Sequence, residues 1–479
     1  MTRFQGELPF GRVRLNFDVP LGTKTVTITG TSVTKGFLYA AVYDVQGGFR
    51  GKLLFENAYK SLVVSNEQSG FGAIDGELAA GEWLLELYNL EGEFRTERAM
   101  QYQVDVACSQ QKEMADSALP LRKVVSTTHE IEFDYSEVKS PESRWYRGDL
   151  HAHTQLSDGL NNLEAATEIV HAQNLDFFFF TEHNITQPKL PVSSQCLFLP
   201  GIEVTTDLGH FNVHGGVQSL DLRDIEHKSA AIIESGLNLA KLGHSSISIN
   251  HPMMRPWHWH YADLELSRVS TFEVCCDPTW STSPKAAEQA LVVLNELWNC
   301  GHRIAAIGGS DSHLEPHERN PKSEEPSFCG SPATFVFSHG LSGEGILAGL
   351  RNGHVYLERR CGLEFEINQG ELIPGQDSAG RALSYVLSVK DTKYRYMAEV
   401  VVDGQVAACI DLSQQPQTLE VLKGYSWCRI DIRRHIGDEQ RNQFEGCINA
   451  VFDANQPIFN QPLVKTWGEL MERLESDEV

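Results

Sequence analysis

The sequence Asp149-Leu150-His151-Ala152-His153, followed by Ser157-Asp158-Gly159, decides how the central third of the chain is interpreted. On a strand, residues two positions apart point to the same side, so His151 and His153 can hold one ion together. Asp158 adds a carboxylate shortly afterwards. Imidazole and carboxylate groups are ligands that zinc, manganese and iron accept in proteins. The segment therefore predicts a metal site near the end of a strand.

Four further apolar runs in the central region lead into polar residues of the same kinds. They precede Glu182-His183, Glu203, Asn250-His251 and Asp311-Ser312-His313. The carboxyl ends of parallel strands in a barrel converge on one face, where the active sites of such folds lie. We therefore expect a single cluster of ligands, in which a carboxylate such as Glu203 can bridge two ions. Its expected members are His151, His153, Asp158, His183, Glu203, His251, Asp311 and His313.

The pattern of apolar residues divides the chain into five segments. Residues 1–125 and 361–463 alternate apolar and polar positions in short runs, which is typical of β-sandwich-like domains. Residues 145–360 alternate β-rich runs with helical patterns, as in βα units around a parallel sheet or barrel. Polar residues 126–144 form a linker, and residues 464–479 form an acidic helix. The predicted fold class is α/β, with a central α/β unit between two β-domains.

Apolar periodicity and capping residues predict two helices in the central region. One spans 162–174, with Leu163 and Val170 on a common apolar face. The other spans 284–300, where Ser283 can serve as N-cap and Gly301 as the C-terminal stop.

Composition restricts the possible partners. With 64 acidic and 40 basic residues the net charge is -24, which disfavours binding to long nucleic acids.

No apolar run reaches the length of a signal peptide or a membrane span, so we expect a cytoplasmic protein without membrane contact. Ten cysteines without a CxxC pair do not indicate a disulfide framework. A small molecule is the expected substrate.

The order and spacing of the central motifs resemble those of the PHP (polymerase and histidinol phosphatase) domain. The resemblance rests on Asp-Leu-His-Ala-His-Thr, Thr-Glu-His-Asn, Gly-Ile-Glu, Asn-His-Pro and Gly-Ser-Asp-Ser-His, and it covers about 215 residues. It implies a distorted (β/α)7 barrel, two or three divalent ions (zinc, manganese or iron), and phosphoesterase activity as the commonest chemistry. The element at 209–212, together with the flanking β-domains, is more similar to the carbaryl hydrolase (CehA/McbA) branch, whose members cleave carbamate esters.

The resemblance also distributes the ligands among the ions. The ligands of the first metal correspond to His151, His153, Glu203 and Asp311. Those of a second metal correspond to Asp158, His183 and His313. The remaining ion would be bound by Glu203 and His251.

One further ligand is expected in the segment Gly209-His210-Phe211-Asn212-Val213-His214. Positions 210, 212 and 214 face one side of a strand at intervals of about 6.6 Å, so they cannot all reach one ion. Counted from the glycines that follow, the usual His of the family falls on Asn212, a weak ligand for zinc. We therefore predict that His210 binds the ion bridged by Glu203. The rival is a two-metal site that uses neither His210 nor His214.

The preferred reaction is hydrolysis of a small phosphate ester, an EC 3.1 activity, by a metal-activated hydroxide. His251, His313 and Asp311 are the predicted catalytic residues. Arg255 would clasp a phosphate oxygen, and Trp257 would form a wall of the substrate pocket.

Besides a nuclease that acts on a mononucleotide or a short strand end, two alternatives remain open. The first is a carbamate, carboxylic ester or amide hydrolase that uses the same ions, which the aromatic run Trp257-His258-Trp259-His260-Tyr261 favours. The second is a non-catalytic scaffold or partner protein. The complete set of ligands disfavours it, because clustered carboxylates without a cation are costly to keep.

Overall fold

We describe the protein from a computed structural model. It covers residues 1–34, 36–56, 60–90, 92–93, 99–111, 119–241, 243–414, 416–436 and 441–477.

The N-terminal part contains eight described strands: β1 Thr2–Leu8, β2 Gly11–Val19, β3 Thr25–Ser32, β4 Leu38–Tyr43, β5 Phe49–Phe55, β6 Lys60–Ser65, β7 Gly81–Asn89 and β8 Met100–Ser109. They form a pair of four-stranded antiparallel sheets, with strand orders β1-β8-β3-β6 and β2-β7-β4-β5. The alternation of apolar and polar residues gives strands such as β3 one side that is more deeply buried, whereas β4 and β5 are buried along their whole length. Val26 and Ile28 of β3 and Leu85 and Leu87 of β7 are fully buried in the shared core.

The central part combines strands with four helices. Its strands are β9 Leu121–Lys123, β10 Arg144–Asp149, β11 Phe177–Phe180, β12 Lys189–Pro191, β13 Leu197–Thr206, β14 Gly209–His214, β15 Ser246–Ile249, β16 Thr271–Cys276, β17 Ala305–Gly309, β18 Ala333–Ser338 and β19 Val355–Glu358. Its helices are α1 Leu163–Ala172, α2 Ser229–Leu237, α3 Ser283–Asn299 and α4 Gly343–Arg351.

The C-terminal part adds β20 Leu363–Ile367, β21 Leu383–Val389, β22 Tyr396–Val402, β23 Gln405–Asp411, β24 Gln417–Val421, β25 Trp427–Ile436, β26 Arg441–Phe452 and helix α5 Trp467–Asp477. Strands β20, β21 and β24 form a separate three-stranded sheet. The other four strands continue the central sheet, so the segment predicted at 361–463 shares its backbone ladder with the centre. Positions 478–479 of the predicted acidic helix lie outside the described residues.

One large mixed sheet dominates the fold, in the order β17-β16-β15-β14-β13-β11-β10-β18-β19-β26-β25-β22-β23. Its parallel pairs are β10/β11, β11/β13, β15/β16 and β16/β17. The long strand β13 instead turns back antiparallel into β14, which interrupts the βα alternation that the sequence predicts. The protein is thus mixed α/β with a large sheet, and the (β/α)7 barrel stays a prediction.

Side-chain hydrogen bonds connect the edge strand β17 to β18 and β26, which lie far from it in the strand order. The Thr334 hydroxyl accepts a hydrogen bond from Gly308 N at 3.0 Å and donates one to Gly308 O at 2.7 Å. The side-chain amide of Asn449 accepts a hydrogen bond from Ala306 N and donates one to Ala306 O, both at 2.7 Å. β17 therefore lies beside β18 and β26, and the sheet curls around the end of β10. This curvature brings together the residues that follow β10 and β17.

The two predicted helices correspond to α1 and α3, but the N-cap predicted for the second helix is wrong. Asn162 caps α1, because its side chain accepts a hydrogen bond from Ala165 N. The predicted N-cap Ser283 instead lies inside α3, which begins after Thr282 without a side-chain cap. The Ser283 hydroxyl points to Met254 Sδ, at 3.1 Å. In the described part of the chain, no helix combines the length and apolar character needed to cross a membrane.

Candidate metal centre

The ends of β10 and β17 are tied to each other through the buried carboxylate of Asp149. It accepts hydrogen bonds from the backbone N–H groups of His151 at 3.2 Å, Ser310 at 3.0 Å and Gly330 at 2.6 Å. Asp311 N also donates to His151 O, at 2.8 Å. The segments that carry His151 and Asp311 therefore run side by side, although they are far apart in the sequence.

Glu203 lies at the centre of the cluster and is fully buried. Its carboxylate oxygens are 2.7–3.5 Å from nitrogens of five imidazoles, those of His151, His153, His183, His210 and His251. The sequence places Glu203 after its strand, but β13 continues to Thr206. The hairpin β13–β14 sets His210 opposite Thr205, and this register brings the His210 ring to Glu203.

Two more carboxylates complete the arrangement. Asp311 Oδ1 is 3.2 Å from His151 Nε2 and 3.0 Å from His153 Nε2. Asp158 Oδ1 is 3.2 Å from His313 Nε2 and 3.4 Å from His183 Nε2. All the predicted ligands thus meet in one place. They form four overlapping groups whose ligand atoms lie within 4.8 Å of one another: His151–His153–Glu203, His151–His251–Asp311, His183–Glu203–His210 and His153–Asp158–His183–His313.

These residues fit divalent ions, because several of their buried polar atoms have no hydrogen-bond partner among the described residues. The atoms are His151 Nε2, His153 Nε2, Asp158 Oδ1, Glu203 Oε2, His210 Nδ1 and His251 Nδ1. A buried polar atom without a partner is costly and uncommon in native proteins. A cation between the carboxylates and the imidazoles would satisfy most of these atoms together.

The charges within the cluster are strongly coupled. Burial lowers the pKa of His313, but the carboxylates of Asp158 and Asp311 outweigh it and raise this pKa to about 10. Burial and the neighbouring imidazoles of His313 and His183 lower the pKa of His153 to about 4. Burial raises the pKa of Glu203, yet the surrounding imidazoles hold it well below its usual range. Without metal, the cluster therefore keeps ionised carboxylates beside protonated imidazoles.

Sequence reasoning missed Glu273, which orients two of the ligands. Glu273 Oε1 is 3.1 Å from His151 Nδ1, and Oε2 accepts a hydrogen bond from His251 N at 2.7 Å. A carboxylate on one ring nitrogen leaves the other nitrogen free to bind a metal and makes it more basic. Glu273 lies inside the apolar run of β16, not after it. An acidic residue within a fully buried strand was the signal that could have identified it.

A cavity of about 310 Å³ opens onto the cluster. Besides proposed ligands, its lining contains Phe37, Thr205, Met254, Trp257, Asp277, Trp280, Leu314, Asn320 and Ser327. Phe37 comes from the N-terminal sandwich, and its ring centroid is 5.0 Å from that of His183. The structure places Trp257 in the lining, whereas Arg255 is exposed and does not line the cavity. Among the residues that the structure describes, no lysine or arginine lines the cavity.

Four non-glycine residues at or beside this site have a strained backbone. Asn184, His251, Asp277 and Asp311 have φ angles of 51°, 28°, 30° and 48°. Non-glycine residues seldom adopt positive φ, and such residues cluster at functional sites because the surrounding structure must hold them there. The strain supports a functional role for the cavity.

Comparisons with known proteins add little to this geometry. No protein-family model matches the sequence, and no curated protein matches it. The chain is similar to a two-domain protein from Bacteroides vulgatus described as containing a predicted PHP-like metal-dependent phosphoesterase. The identity is 16% over 65% of this chain and 98% of that one, with a TM-score of 0.36. An FMN-binding β-glucuronidase from Faecalibacterium prausnitzii shares 8% identity over 94% of each chain, with a TM-score of 0.17. Because both TM-scores are low, we infer the function from the residues of the site.

His210 and His214 provide a matched pair for testing the ligand set. His210→Ala should remove one bound ion, because His210 Nδ1 lies 3.2 Å from Glu203 Oε1. His214→Ala should leave the metal count unchanged, because His214 Nε2 donates to Leu150 O at 2.8 Å. Elemental analysis of dialysed protein gives the ions per chain. An unchanged count for His210→Ala, or a lost ion for His214→Ala, would contradict the assignment.

Metal binding near neutral pH should release protons. The raised pKa of His313, about 10, keeps its imidazole protonated in the metal-free chain, so a bound cation must displace that proton. The apparent affinity should therefore increase between about pH 6 and about pH 8, roughly tenfold per pH unit for each proton displaced. Calorimetry in buffers of different ionisation enthalpy counts the protons. Affinity that does not change with pH, without proton release, would contradict the displacement of a proton from His313 by the metal.

Proposed function

We propose that the chain is a metal-dependent hydrolase of the PHP type that acts on a small ester. The observation that carries the proposal is the convergence of three carboxylates and six imidazoles beside an open cavity, with buried ligand atoms that lack partners. The unpartnered ligand atoms cost stability unless a cation binds them, and this disfavours a scaffold without catalysis.

Two or three divalent ions held by these residues would activate a water molecule and polarise the ester group. The chain's own contribution is to orient the ligands. Glu273 accepts the Nδ1 proton of His151, so that His151 Nε2 faces Glu203 and Asp311. In the same way, His313 Nδ1 donates to Asp311 O at 2.7 Å, and its Nε2 faces Asp158.

The cavity walls position the substrate and exclude water. Phe37 covers the His183 ring, and Trp257 packs edge-to-face on Trp280 with ring centroids 5.8 Å apart. His251 and His313 also line the cavity, which suits the predicted role of carrying protons to and from the reacting ester.

A phosphate ester is the first candidate substrate, because the ions themselves can supply the positive charge that a phosphate needs. The predicted phosphate clasp by Arg255 has no support from its exposed position. A carbamate, carboxylic ester or amide is the second candidate. The aromatic walls favour it, as does the lack of lysine and arginine in the described part of the lining.

The test compares substrates and variants on metal-loaded protein. The wild-type chain should hydrolyse p-nitrophenyl phosphate, 1-naphthyl N-methylcarbamate or 1-naphthyl acetate. Glu203→Gln, His151→Ala and Asp311→Ala should each lower kcat/KM by roughly a thousandfold or more and reduce the bound metal. Glu203→Gln should have the largest effect, because its carboxylate contacts five imidazoles.

Two exposed positions serve as controls, His244→Ala and Glu472→Gln, and both should retain metal and activity. Wild-type metal content and wild-type activity in all three cluster variants would refute the proposed function. The ratio of phosphate to carboxylic ester turnover then decides between the two substrate candidates.

A further inference from the structure

Asp277 is a carboxylate of the cavity that does not belong to the ligand groups. It follows β16 and is 9% exposed. Oδ1 accepts a hydrogen bond from the Thr279 hydroxyl at 2.8 Å, and Oδ2 accepts one from Asn320 Nδ2 at 2.7 Å. Asn320 Nδ2 also donates to Thr279 Oγ1, at 2.8 Å. The side chain is therefore fixed, and its charge has a defined position in the cavity lining.

Aromatic rings accompany Asp277 in this lining. Trp280 lies in the same turn, and its backbone N–H donates to Asp277 O at 2.9 Å. Trp257 packs against Trp280 at an interplanar angle of 65° and is 40% exposed, so part of its ring remains available to a ligand. Phe37 also lines the cavity. A tryptophan face is the best aromatic partner for an organic cation.

The charge of Asp277 is offset only in part by the imidazole of His313, which also lines the cavity. Neither lysine nor arginine occurs among the described residues of the lining. Burial, reinforced by the charge of Asp311, raises the pKa of Asp277 to about 6. The carboxylate is thus ionised at neutral pH, but at a cost that a nearby cation would remove. A neutral apolar group would bury this charge further, and an anion would be repelled by it.

We propose that the cavity selects esters of a positively charged alcohol, whose organic ammonium group binds between Asp277 and the Trp257–Trp280 pair. This inference rests on the proposed hydrolase function, because the ester group would then lie at the metal cluster. The proposed substrates share the cationic alcohol, and their acid part is either a phosphate or a carboxylate.

The first experiment measures binding and requires no turnover. Calorimetry on metal-loaded protein compares choline with 3,3-dimethylbutan-1-ol, its uncharged isostere. Choline should bind about tenfold more tightly or better. Asp277→Asn keeps the shape and removes the charge, so it should reduce this preference to about threefold or less, with unchanged metal content. Asp263→Asn, an exposed Asp outside the lining, is the matched control and should keep the preference.

Trp257→Leu alters an exposed position of the same pocket and should also weaken the preference for choline. It provides a second variant if Asp277→Asn fails to fold. Equal binding of the two alcohols by the wild-type chain, or a preference that survives both Asp277→Asn and Trp257→Leu, would overturn the inference.

The second experiment measures hydrolysis. Phosphocholine is compared with 3,3-dimethylbutyl phosphate, and acetylcholine with 3,3-dimethylbutyl acetate. The charged ester of at least one pair should have the higher kcat/KM, and Asp277→Asn should remove the difference. A preference for choline in calorimetry without hydrolysis of any ester would support the cation site and count against the hydrolase. Hydrolysis of both members of each pair at equal rates would support the hydrolase and overturn the cation site.

Discussion

The carboxylate of Glu203 is fully buried, and its two oxygens lie within 3.5 Å of nitrogens from five imidazoles. A buried charge requires compensation, and here protonated imidazoles or metal ions can supply it. This requirement explains why residues from five separate segments must end at one place. The hairpin β13–β14, the Asp149 hydrogen bonds and the curvature of the large sheet all serve to bring the imidazoles to Glu203.

The flanking β-strands support the site directly. In the N-terminal sandwich, Lys52 Nζ donates to Asn184 O at 2.8 Å, next to the proposed ligand His183. In the C-terminal part, Arg434 Nη2 of β25 donates to Glu325 Oε1 at 3.1 Å, in a loop that contributes to the cavity lining. The N-terminal sandwich also shares its apolar core with the central part, and the C-terminal strands continue the central sheet. These contacts indicate that the outer parts of the chain shape the substrate pocket, while the central part carries the proposed ligands.

The cluster could be predicted from the sequence because its members follow apolar runs, and the ends of strands converge for simple geometric reasons. The same reasoning could not find Glu273 or Asp277. Glu273 lies within a buried run, and Asp277 acquires its position from a turn and from Asn320, far away in the sequence. Phe37 was missed because its role depends on how the sandwich packs on His183. The segment 209–214 was predicted as a strand, but its antiparallel direction was not, since the sequence of a short strand does not indicate the direction in which it pairs.

Anomalous diffraction from crystals of the metal-loaded chain tests the central claim most directly. Two or three peaks should appear, and at least two of them should lie about 2.0–2.2 Å from oxygens of Glu203, with imidazole nitrogens at similar distances. Such peaks would show that Glu203 bridges ions and that the histidines are ligands. A structure that binds metal elsewhere, or keeps the Glu203 cluster free of anomalous density at saturating metal, would contradict the account.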